Sequence, residues 1–463
     1  MLKITKFGGS STADAGQFRK IKDIISADPS RKFVVVSAAG KRNSQDNKVT
    51  DLLYLVNAHR TYHVDCTPLL GDIKARFVEI ADELGLAYPI AEKFDELAEH
   101  IEEYTPEFVV SRGEYFTGQL MAEWLGLPFV DAADVVVFHH DGNLDMERTN
   151  DRVQDVATRE GRFVMPGFYG ATVDGEIRLL DRGGGDISGS ILARCLSADL
   201  YENWTDVSGF LTADPRIVHK PLPIHRITFD ELRELSYMGA NVLHEEAIFP
   251  VREANIPIAI KNTNRPGDSG TIIRETTEEG EDEPIITGIA GRKDFLAVHV
   301  KKNHMSTKVG CLRKTLSIFE RYGVSIEHVP TGIDSFGIVV NGEDVKNSIY
   351  SIVADIQREI EPDEVKVIDQ LALISVVGRN MARRAGVSGR LFSSLGSRGV
   401  SVRMITQSSQ EINIILGVNN DDFNRAVKVI YDEFVAKEQA AKEASRLNQE
   451  RFGKANPEGK VFS

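Results

Sequence analysis

The chain has 463 residues, 42% of them apolar and 27% charged, with a formal net charge of −14. That length exceeds one core, so two or three domains of roughly 100–200 residues are expected, and the ordinary composition disfavours disordered or fibrous classes. The charge disfavours partnership with nucleic acid or an anionic membrane, since either needs clustered Lys and Arg to displace counterions.

The opening MLKITKFGG lacks the apolar core of a secretory signal, and no apolar run reaches the roughly 18 residues of a membrane span. Cys66, Cys195 and Cys311 have neither CxxC nor disulfide-rich spacing, so a cytoplasmic location is expected. From residue 1 to about 272, short β-branched runs alternate with longer helical stretches. Strands are expected at Lys3–Phe7, Phe33–Ser37, Phe108–Ser111, Phe129–Asp131, Arg162–Pro166, Leu200–Thr205 and Ile256–Lys261. Their continuous apolar character suggests burial on both faces, hence a three-layer α/β/α sandwich. The acidic run Arg274–Pro284 marks a solvated boundary.

Beyond it lies an internal repeat. GCLRKTLSIFERYGVSI, from Gly310, aligns without gaps on GVSGRLFSSLGSRGVSV, from Gly386, at a period of 76. In each copy a glycine opens a helix, a second glycine (Gly323, Gly399) ends it, and an apolar strand follows. Apolar runs before (Phe295–Val300, Leu371–Val377) and after (Phe336–Val340, Ile412–Val418), with helices at Val345–Glu359 and Asp422–Ala436, complete two α+β ferredoxin-like βαββαβ units. The expected domains are therefore 1–283, 284–367 and 368–436, with 437–463 a fraying helix and disordered tail.

Two loops carry the chemistry. KFGGSST (Lys6–Thr12) follows the first strand, and the amides of Gly8, Gly9 and Ser10 can cradle phosphate oxygens while Lys6 neutralises a transferring phosphoryl group. A plain strand-to-helix turn is the alternative for that loop alone. DRGGGDISGS (Asp181–Ser190) adds Arg182, a planar fork for a carboxylate, and Asp186, a counter-charge able to orient Lys6; Gly183, Gly184 and Gly185 clear the ligand's approach. Three further segments are expected at carboxyl ends of strands, where ligands gather in open α/β sheets. They are Ser37 to Lys41 leading to a helix at Thr50-Asp51, Ser111 to Glu114 with the carboxylate opening a helix, and Thr205 to Arg216. Each singly also reads as a cap or turn. No GxxxxGK(S/T) exists, the glycines at Gly183 miss a dinucleotide fingerprint, His244 to Ile248 lacks a second zinc histidine, and His139-His140-Asp141 reads as exposed loop, so no metal ligands are assigned.

KFGGSS, SAAGK with Thr50-Asp51, SRGE, DRGGGD, TDVSGFLTADPR and the tandem repeat together resemble the aspartate kinases, in motif order, up to about residue 436. The resemblance implies an amino-acid-kinase domain followed by two ACT domains, with ATP and Mg²⁺ used to phosphorylate L-aspartate on its side chain. It implies that Lys6 stabilises the transferring group and Asp186 orients it, that Arg182 grips the α-carboxylate and Glu114 the α-ammonium, and that Ser37 and Thr50 line the pocket. Nucleotide contacts are implied for Lys6, Gly8, Gly9, Ser10, Gly184, Thr205, Asp206, Phe210, Arg216 and Lys261. The sequence departs from the family pattern at Gly185, Asp181 and Ser208. The repeats imply feedback by lysine or threonine, with Met305, Lys308, Gly310, Cys311, Leu312, Ile326 and Glu327 resembling an effector pocket, and a homodimer or higher oligomer through the repeats. Nothing after residue 436 leaves room for a fused dehydrogenase, so a monofunctional kinase is expected. The rivals are a kinase for another acidic amino acid and a catalytically silent amino-acid sensor, against which the retention of Lys6, Glu114, Arg182 and Asp186 speaks.

Overall fold

In the computed structural model, which describes all residues except 182, 241–242, 244, 277–283, 308, 408–409 and 454–463, the chain groups into two units. The first comprises 1–210, 223–232 and 241–277; the second comprises 211–222, 233–240 and 278–463. The excursions 211–222 and 233–240, which the sequence reading kept with the first domain, thus group with the second.

The first unit runs β1 (Lys3–Phe7), α1 (Ala15–Ser26), β2 (Arg31–Val36), α2 (Val49–Thr61), α3 (Thr67–Leu84), α4 (Ile90–Glu99), α5 (Pro106–Leu125), α6 (Ala132–Val135), β3 (Val137–Phe138), α7 (Met146–Glu160), β4 (Phe163–Pro166), β5 (Tyr169–Thr172), β6 (Ile177–Leu179), α8 (Gly184–Cys195), β7 (Leu200–Thr205), β8 (Arg226–Thr228), α9 (Phe229–Tyr237), α10 (Phe249–Glu253), β9 (Ile258–Asn262) and β10 (Thr271–Arg274). Helix α9 begins in the first unit and ends in the second. Seven strands form one sheet in the order β4-β2-β1-β7-β9-β10-β8, parallel except between β9 and β10. The register sets Lys6 opposite Asn203 and Phe7 opposite Trp204. Since neighbours in register share a face and successive residues alternate, Phe7 and Trp204 join the apolar core built with α1, α2, α3 and α5, while Lys6 and Asn203 face the other layer, where α8 lies.

Two expected strands are not strands. Phe108–Ser111 lies in α5, where Thr105 caps the helix by accepting the Phe108 amide at 3.2 Å and Pro106 takes the first turn. Phe129–Asp131 makes only an isolated bridge from Phe129 to Val164, and Asp131 then caps α6. Glu114 accordingly sits mid-helix and opens none.

The second unit contains β11 (Gly288–Lys301), α11 (Cys311–Arg321), β12 (Ser335–Asn341), α12 (Gly342–Val345), α13 (Ile349–Ile360), β13 (Glu364–Val377), α14 (Val387–Ser397), β14 (Met404–Gln407), β15 (Asn413–Asn419), α15 (Phe423–Tyr431) and α16 (Lys437–Gly453). One antiparallel sheet, β12-β11-β13-β15-β14, serves both repeats. Strands β11 and β13 are 14 residues each, and β13 runs unbroken through the expected boundary at 367/368. The repeat survives in the backbone. Gly310 (φ 88°, ψ 1°) and Gly386 (φ 85°, ψ 0°) cap α11 and α14 in the left-handed region, and Gly323 (φ 67°) and Gly399 (φ 68°) follow them. The strands expected directly after those last glycines do not form at Val324–Ile326 and begin only at Met404 in the second copy. Each repeat has its own core, one around Ile318 and Phe319, the other around Leu391 and Ile430. Among the described residues no helix is long and apolar enough to cross a membrane.

Candidate active site

Lys6, one residue before the end of β1, directs its ammonium to Oδ1 of Asp186 in the first turn of α8; the two side chains are 8% and 14% exposed. The loop after β1 is stacked backbone on backbone against the loop after β2. The Gly8 amide donates to the Trp204 carbonyl at 3.0 Å and the Gly40 amide to the Gly9 carbonyl at 2.8 Å. A Cβ on Gly40 would come within 2.4 Å of the Gly9 carbonyl carbon, so this approach requires glycine. Thr12 Oγ1 donates to the Ser37 carbonyl at 3.1 Å and ties the same loops together.

Ser37 and Glu114 reach the same place from other elements. A Cβ on Gly185 would lie 2.6 Å from Ser37 Oγ and 3.3 Å from Lys6 Cε, so the α8 N-terminus, Ser37 and Lys6 converge, and the Ser37 hydroxyl fills the space beside Gly185. Gly113 lets α5 approach the Ala38 methyl, which a Cβ would meet at 3.0 Å, and the next side chain, Glu114, enters the site 4% exposed with Oε2 unpartnered. Burial pushes its pKa up to about 8, against the Ala38 amide and the Lys6 ammonium, which pull it down. Burial therefore favours the neutral carboxyl there. Thr50 opens α2 partly buried, next to Val49, which lies 3.3 Å from the position of a Gly113 Cβ. Gly184 is buried under the Phe168 ring.

The residues expected to contact nucleotide divide. Gly8, Gly9 and Ser10 follow Lys6, and Thr205 ends β7 next to β1 with Asp206 just beyond it, Thr205 Oγ1 donating to Asp206 Oδ1 at 3.2 Å. Phe210 is a correction: it is 1% exposed, its ring belongs to the core, and its amide donates to Thr271 Oγ1 at 2.8 Å. The Arg216 side chain is 86% exposed and paired to Asp214. Lys261 is in register with Trp204, so it rises from the face opposite Lys6, and its Nζ donates to the Asp268 carbonyl at 2.7 Å. Ser208 is anchored by donating to Asp268 Oδ2 at 2.6 Å and accepting from Asn262. Arg182 lies outside the described residues. Sequence reasoning missed Asn203, which donates from Nδ2 to Asp186 Oδ1 at 2.8 Å.

In the first repeat, Met305, Cys311, Leu312 and Ile326 border one apolar core, with Gly310 capping α11 beside them. Glu327 Oε2 accepts the hydroxyl of Tyr237, the last residue of α9, at 2.7 Å, and partial burial with that bond raises the phenol to about 12. Lys308 and His244 lie outside the described residues. His139 and His140 face separate partners, Asp145 at 3.7 Å and Asp174 at 3.3 Å.

The amino acid kinase family matches over residues 1–262, and the ACT domain over 374–434, the second repeat. Aspartokinase 3 of Bacillus subtilis is 36% identical over 452 residues, spanning 94% of this chain and 99% of that protein. The aspartate kinase of Clostridium acetobutylicum, described as an allosteric enzyme, is 43% identical with a TM-score of 0.87 over 94% of this chain and 99% of its own. Escherichia coli aspartokinase III, solved with aspartate and ADP, is 24% identical with a TM-score of 0.71 over 94% of this chain and 99% of its own, a likeness of fold. With 36% identity to one relative across almost the full length of both chains and the kinase family matching residues 1–262, the chain belongs to the aspartokinases of the amino acid kinase family.

Proposed function

We propose that the chain transfers the γ-phosphoryl group of MgATP to the side-chain carboxylate of L-aspartate, giving 4-phospho-L-aspartate and ADP, the first step toward lysine, threonine and methionine. The strongest support is the buried Lys6–Asp186 pair with Glu114 close enough for the Lys6 charge to act on it and its Oε2 left unpartnered. A substrate oxygen attacks the γ-phosphorus as the bond to the bridging oxygen breaks and ADP leaves. The attacking carboxylate is ionised at neutral pH, so no general base is needed. Lys6 and the amides of Gly9 and Ser10 stabilise charge on the transferring group, the Gly8 amide being held by the Trp204 carbonyl, and Asp186 fixes Lys6. Mg²⁺ arrives with the ATP phosphates as part of the substrate and shields their charge. Glu114 receives the α-ammonium, Arg182 the α-carboxylate, and Ser37 and Thr50 line the pocket. Thr205 and Asp206 serve the nucleotide.

An amino-acid effector, lysine or threonine, is placed at Met305, Lys308, Gly310 to Leu312 and Ile326, its ammonium on Glu327. The regulatory sheet ends in two strands that pair on one side only, β12 and β14, and these are the edges through which a homodimer would form. Dependence on ATP and three free cysteines suit the cytoplasm. The test is ADP release with MgATP and L-aspartate, L-glutamate or no acceptor. Turnover with aspartate alone, lost in Lys6→Ala, is expected; turnover with glutamate, or tight amino-acid binding without turnover, would overturn the assignment.

A further inference from the structure

From the convergence of two donors on one oxygen we infer that Asn203 is a positioning residue of the phosphoryl-transfer site, acting through Asp186; this rests on the kinase reading above. Asn203 is 4% exposed and lies opposite Lys6 on the neighbouring strand, so both side chains rise from one face of the sheet. Its Nδ2 donates at 2.8 Å to Asp186 Oδ1, the oxygen that Lys6 Nζ also contacts. Two residues back on the same face, the fully buried Tyr201 donates its hydroxyl to the Asp186 main-chain carbonyl at 3.1 Å. A Cβ on Gly189 would lie 2.6 Å from that hydroxyl, so the next turn of α8 closes on the tyrosine. Strand β7 therefore grips Asp186 by side chain and backbone at once.

That grip matters when substrate arrives. Lys6 has to turn part of its hydrogen-bonding capacity from Asp186 to the phosphoryl oxygens. A carboxylate held by Lys6 alone would follow the lysine or rotate about its own side-chain torsions. The amide on Oδ1 keeps the carboxylate oriented and partnered while Lys6 is shared, and being neutral it does not compete with Lys6 for charge. A lysine at 203 would neutralise Asp186, and an aspartate there would draw Lys6 away from the phosphate.

The test is a double-mutant cycle in the full chain, with kcat, both KM values and melting temperature measured for Asn203→Leu, Asp186→Ala and the pair. Asn203→Leu is expected to lower kcat about tenfold, equivalent to about 1.4 kcal/mol, with both KM values within about twofold. In the Asp186→Ala background the same change is expected to cost less than about twofold, because its effect passes through Asp186. Asn203→Asp, nearly isosteric, is expected to lose more than Asn203→Leu, and it keeps the test alive if the leucine variant fails to fold. An unchanged kcat for folded Asn203→Leu, or a full tenfold loss repeated on Asp186→Ala, would overturn the inference. Lys6→Ala separates the two levels: full activity in that variant sinks the kinase site itself, whereas inactivity there with an additive cycle sinks only the role of Asn203.

Discussion

Raising the pH from about 6 to about 8.5 is expected to tighten aspartate binding while destabilising the empty protein, with Glu114 behind both trends. Burial lifts this carboxyl from an ordinary 4.5 to about 8. At about 1.4 kcal/mol per pH unit, ionising it in the empty protein costs about 5 kcal/mol. The folded-state value lies above the unfolded one, so the contribution of the protonated form is complete below about pH 4.5 and is lost as the pH climbs through about 8. At pH 7 the protonated form is therefore favoured. An ammonium group favours the carboxylate, so binding aspartate should expel close to one proton at about pH 7 and about half a proton at about pH 8. Calorimetric titration of aspartate in buffers of different ionisation enthalpy counts those protons. Glu114→Gln is expected to exchange none and to bind aspartate about a hundredfold more weakly, within the range of about 2–5 kcal/mol for breaking a buried charge pair. Its melting temperature should no longer carry the decline between about pH 5 and about pH 8. Aspartate binding with no proton release in the wild type at pH 7, or identical release in Glu114→Gln, would refute the reasoning.

Phe210→Ala is expected to destabilise the first unit by about 3–5 kcal/mol while leaving the KM for MgATP within about twofold, because the ring is core and not a nucleotide contact. A large rise in that KM without a stability change would restore Phe210 to the nucleotide site. Tyr237→Phe removes the hydroxyl that occupies Glu327 and is expected to lower the concentration of lysine or threonine giving half-inhibition about threefold to tenfold. Weaker inhibition in that variant would mean that the tyrosine helps to bind the effector and does not compete with it.

The Lys6–Asp186 pair is legible because its signals are local: a charged residue, glycines and small hydroxyls where a strand meets a helix, at Lys6 and again at Asp186. The tandem repeat was legible because Gly310 and Gly386 are required by the same left-handed cap. Helix α5 reads as a strand because its run Phe108 to Val110 is continuously apolar, which gives a helix and a buried strand the same composition; Thr105-Pro106-Glu107 ahead of it is the start signal. Parity along one strand does not fix faces on another, so placing Asn203 on the face of Lys6 and Lys261 on the opposite one needs the registers of β7 on β1, almost 200 residues away, and of β9 on β7, which no local pattern carries. The contact of Tyr237 with Glu327 joins residues 90 apart in sequence and is likewise a product of the fold.

Treating the wild-type reaction with hydroxylamine and identifying the adduct by mass spectrometry tests the central claim most directly. The account predicts aspartate 4-hydroxamate in step with ADP, absent from Lys6→Ala. ADP formed without the hydroxamate, or with an adduct of another amino acid, would contradict it.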